Sequence, residues 1–170
     1  MSEVLLRWNS LPAEDAVREI LACCGSMAWA RALVVHRPLR DEPELISTSD
    51  EIWNHLGTQD WLEAFSKHPR IGERKAPPAA PAQSEAWSTQ EQESVASAGE
   101  DIQRALADGN REYEKRFGRV FIVCATGKSA PEMLEVLRRR LRNNDDVELR
   151  EAVEEQRKIT NLRLQKWLAT

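Results

Sequence analysis

A chain of 170 residues can bury a core of its own, and 24 Lys+Arg interspersed with 28 Asp+Glu leave a net charge of −4 that argues against a nucleic-acid surface. Cys23 and Cys24 are adjacent and Cys124 stands in an apolar run, so neither a metal-ligand spacing nor a disulfide framework is present. Met1-Ser2-Glu3-Val4 opens no basic leader, no apolar run approaches a membrane span, and Leu168-Ala169-Thr170 is no peroxisomal Ser-Lys-Leu address, so a cytoplasmic protein without a membrane partner is expected.

Helix signals recur from end to end while strand signals are nearly absent. They predict an all-α, single-domain bundle of about seven to nine helices over 1–170, with no significant sheet. Ser10 reads as an N-cap with Pro12 in the first turn, and Gly25 stops that helix. Ser26 caps a second helix through Leu33 and Val34, ended before Pro38. Residues 37–46, with two prolines and acidic residues, read as a loop, and Ser49 or Asp50 then opens a short helix closed by Gly57. The helix from Thr58 must end near His68, because Pro69 disfavours helical geometry in the residue before it.

Residues 75–83 are too rich in proline to be helical throughout and read as a stiff connector. One helix is expected from Ser88 towards Asp108 and another from about Asn110 to Phe117. The run Val120 to Ala125 is short, apolar and β-branched, either extended or a buried helical turn. Ser129 and Pro131 begin the next helix, and the last runs from about Asp145 to Trp167. Arg138, Arg139, Arg140 and Arg142 form the densest basic cluster, which reads as a solvated helix face.

Side chains at i, i+3, i+4 and i+7 share a helix face, so residue spacing shows which ionisable groups point inward. Trp61, Ala64, Phe65 and His68 share one face. Val95, Ala98, Ile102 and Ala105 run back through Glu91. Leu149, Ala152, Val153, Ile159, Thr160 and Trp167 enclose Arg163, with Gln156 on the same stripe. Buried charge is costly unless paired, and one shared pocket would account for an inward His, Glu and Arg together.

Each signal has a plainer alternative. Ser88-x-x-Glu91 matches a helix capping box, His68 alone reads as a core histidine, and Arg163 alone as a residue whose stem covers apolar area. Thr126-Gly127-Lys128-Ser129 imitates the end of a phosphate loop, but that pattern demands glycine where Ile122 stands. His36, His55 and His68 lack metal-binding spacing, so no metal is expected, and Cys124 reads as core rather than nucleophile.

In combination, His68-Pro69-Arg70-Ile71-Gly72, Ser88-x-x-Glu91-Gln92, Phe117-Gly118 leading into Phe121-Ile122-Val123-Cys124-Ala125, and Lys158-Ile159-x-x-Leu162-Arg163-Leu164 resemble the 2-oxo-4-hydroxy-4-carboxy-5-ureidoimidazoline (OHCU) decarboxylase family of urate degradation. The likeness extends to Cys24-Gly25-Ser26, Trp29-Ala30, Arg37-Pro38 and Asp60-Trp61-Leu62-x-Ala64-Phe65, in order over nearly the whole chain. It implies an all-helical, cofactor-free, usually homodimeric enzyme that acts on a small ureidoimidazoline, making (S)-allantoin and carbon dioxide. It further implies that His68 is the proton donor with Glu91 as a second catalytic residue, and that Glu91, Pro69, Ser88, Gln92, Arg163 and main-chain groups of the segment Phe121, Ile122, Val123, Cys124 and Ala125 contact substrate. A non-catalytic helical scaffold, or a cofactor-free hydrolase or isomerase on a related ureide, is the competing expectation.

Overall fold

The computed structural model describes residues 2–72 and 81–170. Most of the proline-rich connector expected at 75–83 therefore lies outside the described residues. Among those residues every regular element is a helix, which confirms the all-α expectation, and there are ten rather than seven to nine. The contacts divide the chain into two compact units, Met1–Ala64 with Arg157–Thr170, and Phe65–Gln156.

The first unit holds α1 (Glu3–Ser10), α2 (Ala13–Cys24), α3 (Met27–Val35), α4 (Glu42–His55), most of α5 (Thr58–Ser66) and the end of α10 (Asp145–Leu168). Helix α1 was not expected, being only eight residues long, yet its Leu5 and Trp8 are buried, and the Trp8 indole donates to the Ala16 carbonyl at 3.0 Å. Because that turn is spent on α1, Ser10 ends a helix instead of capping one, and α2 starts after Pro12. Part of the loop expected at 37–46 is also helix. Asp41 accepts from the Glu44 N–H at 2.9 Å and starts α4 with Pro43 in its first turn, where proline's missing N–H does no harm. Arg37 spans the α1–α2 corner, donating to Trp8 O at 2.7 Å and Leu11 O at 3.0 Å.

The second unit holds α6 (Ala82–Glu91), α7 (Glu93–Ala96), α8 (Glu100–Phe117), α9 (Ala130–Arg140) and the first part of α10. The single helix expected from Ser88 to Asp108 is thus interrupted twice, at Gln92 and over 97–99. Conversely, Gly109-Asn110 does not break α8. A Cβ at Gly109 would stand 2.5 Å from Leu137 Cδ2, so glycine serves close packing, and the Asn110 amide donates to Ile71 O at 2.9 Å. Helix α9 opens with a reciprocal Ser129/Glu132 capping box, as expected for a start at Ser129.

The core of this unit gathers Leu106 and Tyr113 of α8, Met133, Leu134 and Leu137 of α9, and Phe121, Val123 and Ala125 of the connecting segment. The basic cluster needs correction at one position. Arg140 is not solvated but fully buried, its guanidinium donating to Glu148 Oε1 at 2.5 and 2.9 Å and to the Ile122 carbonyl at 2.5 Å. Tyr113 donates to the same carboxylate oxygen at 2.5 Å, and burial together with that bond pushes its phenol well above the ordinary range. Asn143 supplies Glu148 Oε2 with a further donor at 3.0 Å.

Replacing Arg140 by Met strands the Glu148 carboxylate in the core. Losing one partner of a buried pair costs about 3–5 kcal/mol, so the urea midpoint of R140M should fall accordingly, and an unchanged midpoint would refute the role given to this pair. Glu151 provides an independent check through pH. Its hydrogen bond from Arg139 holds the carboxyl down at about 2, against an ordinary 4.5. A depressed carboxyl stabilises the fold above its unfolded value and ceases to do so as pH falls through its folded value. Glu151→Gln should therefore lower the urea midpoint at neutral pH, and the gap to the parent should close between about pH 4.5 and 2.

Candidate active site

His68 follows the last turn of α5, its N–H bonded to Phe65 O at 3.1 Å, so the imidazole sits at a helix C-terminus as the Pro69 argument requires. Its Nε2 lies 2.7 Å from Oε1 of Gln156, a fully buried residue on α10. Pro69 is buried, and the turn after it closes through Gly72, whose φ of +92° suits glycine and whose N–H donates to Gln92 Oε1 at 2.8 Å. One residue of the 88–92 group thereby pins the end of the His-Pro-Arg-Ile-Gly turn.

Ser88 is buried and Glu91 half-buried, both in the final turn of α6. That position removes the capping-box alternative, because α6 begins at Ala82, six residues before Ser88, and Ser88 lies inside the helix rather than ahead of it. It also corrects the apolar stripe drawn from Glu91 through Val95 to Ala105, which the interruptions distribute over α7, a bend and α8.

Phe121, Ile122, Val123, Cys124 and Ala125 are all buried, and they form neither a helix nor a strand. A buried peptide group needs a partner, and without a ladder this segment draws on a backbone turn, the Lys128 N–H donating to Ala125 O at 3.0 Å, and on side chains. Glu155 accepts from the Cys124 N–H at 2.7 Å, Lys128 Nζ donates to Cys124 O at 2.9 Å, and Arg140 caps Ile122 O. Burial raises the Cys124 thiol, and the carboxylates of Glu155 and, more weakly, Glu91 push it further the same way, which puts Glu91 within electrostatic reach of this segment.

The second unit therefore gathers His68, Pro69, the 88–92 group and the 121–125 segment, with consecutive residues of α10 serving both ends: Glu155 holds the segment and Gln156 the imidazole. Spacing alone missed these holders. Gln156 did lie on the inward stripe of α10, and its complete burial is the signal that it has a partner. Arg163 belongs to the first unit. There it is 2 % exposed and its Nη1 donates to Ala22 O at 3.4 Å. A groove of about 770 Å³ runs past Ile71, Gly72, Gln92, Asn110 and Glu114, and neither His68 nor Glu91 is among its described walls.

The sequence pattern of the family described as OHCU decarboxylase matches residues 9–165, across all of these elements. The chain belongs to the OHCU decarboxylase family. It is 39 % identical over 145 residues to the uric acid degradation bifunctional protein TTL of Arabidopsis thaliana, covering 85 % of this chain and 44 % of that protein. It is 25 % identical over 164 residues to the uric acid degradation bifunctional protein of Bacillus sp. (strain TB-90), covering 95 % and 31 %. The chain thus spans less than half the length of these two curated relatives. Among solved structures it is similar to a crystal structure of OHCU decarboxylase in the presence of (S)-allantoin, with a TM-score of 0.76, 38 % identity, and 89 % of this chain and 98 % of that one covered. An (S)-allantoin synthase structure, at 18 % identity and a TM-score of 0.71, covering 96 % and 53 %, shares the fold.

Among the described residues no helix is long and apolar enough to cross a membrane. The thiols of this OHCU decarboxylase family member are arranged for packing rather than reaction. Burial pushes Cys24 up to about 12 and raises Cys23 as well. All three cysteines should accordingly resist iodoacetamide in the native protein at about pH 8 and react together once urea unfolds it. Rapid native alkylation of Cys124 would return it to the list of nucleophile candidates.

Proposed function

We propose that this chain is a cofactor-free carboxy-lyase that converts OHCU to (S)-allantoin and carbon dioxide in urate degradation, acting over 1–170 as one domain of the family. The supporting observation is the gathering in one unit of His68, the Ser88-to-Gln92 group and the buried 121–125 segment, on a chain similar to a structure obtained with (S)-allantoin.

The chemistry needs little beyond those groups. The substrate carries its carboxylate on a ring carbon next to a C=N bond. When the carbon–carboxylate bond breaks, its electron pair runs toward that imine, whose nitrogen takes up a proton, and carbon dioxide leaves. The neighbouring ring carbon then receives one proton while the hydroxyl beside it loses its own and becomes the carbonyl of allantoin. The substrate supplies its own electron sink, so the protein has to add orientation, charge stabilisation and a proton delivered to one face.

Each site residue has a place in that scheme. His68, as imidazolium at a helix C-terminus, stabilises the developing negative charge and protonates the stereocentre, with Glu91 beside it to keep the cation populated. Ser88, Gln92 and Pro69 border the ureido side. The peptide groups of Phe121, Ile122, Val123, Cys124 and Ala125 form the wall that pairs ring amides, whose donors and acceptors must be matched in a dry site. Arg163 grips a carboxylate or ring carbonyl through its planar fork. The working form is a homodimer in the cytoplasm, with a ureidoimidazoline as its small-molecule partner.

Positioned acid–base catalysis contributes about 10²- to 10⁴-fold. His68→Asn, which loses the Nε2 bond to Gln156, should still fold cooperatively at a somewhat lower melting temperature and lower kcat/KM by that factor, with chiral allantoin followed by circular dichroism on freshly generated substrate. A rate near the parent's removes His68 from the mechanism. Failure of the parent protein to outpace spontaneous decay would favour a binding scaffold.

A further inference from the structure

We propose that Gln156 is a positioning residue that keeps the His68 proton on Nε2, so that Nδ1 is the nitrogen that passes the catalytic proton. The inference rests on the reading of His68 as proton donor given above.

An amide oxygen carries no hydrogen and can only accept. Gln156 Oε1 stands 2.7 Å from Nε2, so the imidazole must donate there, and Nε2 keeps its hydrogen in both the neutral and the cationic ring. Only the other nitrogen can then gain and lose a proton without breaking that bond. A glutamine fixes the tautomer through its acceptor oxygen alone, without adding a charge of its own.

The surroundings make this clamp rigid. Gln156 is fully buried on a 24-residue helix, and burying an amide is costly unless it is hydrogen-bonded, so the bond to His68 secures the glutamine as much as the histidine. The preceding residue, Glu155, holds the Cys124 N–H at 2.7 Å. Successive side chains on one turn of α10 thereby set the imidazole in register with the 121–125 wall. A mere space-filling residue on that stripe would be expected to be aliphatic, as Ala152 and Ile159 are.

Nitrogen-15 NMR of histidine-labelled protein, recorded without substrate, tests the tautomer apart from turnover. The parent and Gln156→Glu, which retains an acceptor oxygen, should both show neutral His68 protonated at Nε2. Gln156→Met, of similar shape but with only a weak acceptor, should lose that fixed signature. Its kcat should fall about 10- to 100-fold with KM little changed, whereas Gln156→Glu stays within about tenfold of the parent. A parent spectrum with the proton on Nδ1 overturns the inference even if His68→Asn is inactive. So does a folded Gln156→Met protein with the parent's kcat. Should Gln156→Met fail to fold, the parent spectrum and the Gln156→Glu rate still decide the matter.

Discussion

The second unit depends on how a buried stretch of main chain is satisfied without a sheet. Phe121 to Ala125 is apolar enough to belong in the core and has no neighbouring strand among the described residues, so the peptide groups of Ile122 and Cys124 draw on charged side chains instead. Arg140 reaches Ile122 O, and its own charge is tolerable only because Glu148 is equally buried beside it and is itself supplied by Tyr113 and Asn143. An apolar replacement of the whole pair could be as stable, but it would leave the Ile122 carbonyl without its donor. The ion pair is thus better understood as a means of fixing backbone position than as a source of net stability.

From that wall the rest of the site follows by short steps. Glu155 fastens the next peptide along, Gln156 fastens the imidazole, and Gln92 fastens the glycine that closes the histidine's turn. Glu155 and Gln156 lie on α10 and Gln92 caps the end of α6, so the reacting groups inherit the rigidity of those two helices. Preorganisation of this kind suits a reaction in which the substrate provides the electron sink and the protein provides placement and a proton.

Residue spacing made several of these features legible. The inward faces holding Arg163 and Gln156 follow from helical periodicity, and the end of α5 follows from Pro69, because both rest on local geometry, whereas His68 lies past that helix, half-buried, rather than on its apolar face. The interruption at Gln92 was not legible, since neither proline nor glycine marks it, whereas the one over 97–99 carried a signal in Ser97 and Gly99 that the apolar stripe outweighed. Gly109-Asn110 misled in the opposite sense. Both residues commonly end helices, yet packing against Leu137 and a hydrogen bond to Ile71 O keep α8 continuous.

Sequence by itself determined the all-α class, the helix faces and the pattern of motifs by which the family is recognised, because those depend on period, caps and breakers acting over a few residues. Tertiary structure alone decided that Arg140 is a core residue rather than part of a basic surface. It also decided that Ser88 and Glu91 close a helix instead of opening one, and that Gln156 is the partner of His68. Those outcomes turn on which buried donor meets which buried acceptor across 88 residues of chain, a pairing set by desolvation in the assembled core that no local spacing encodes.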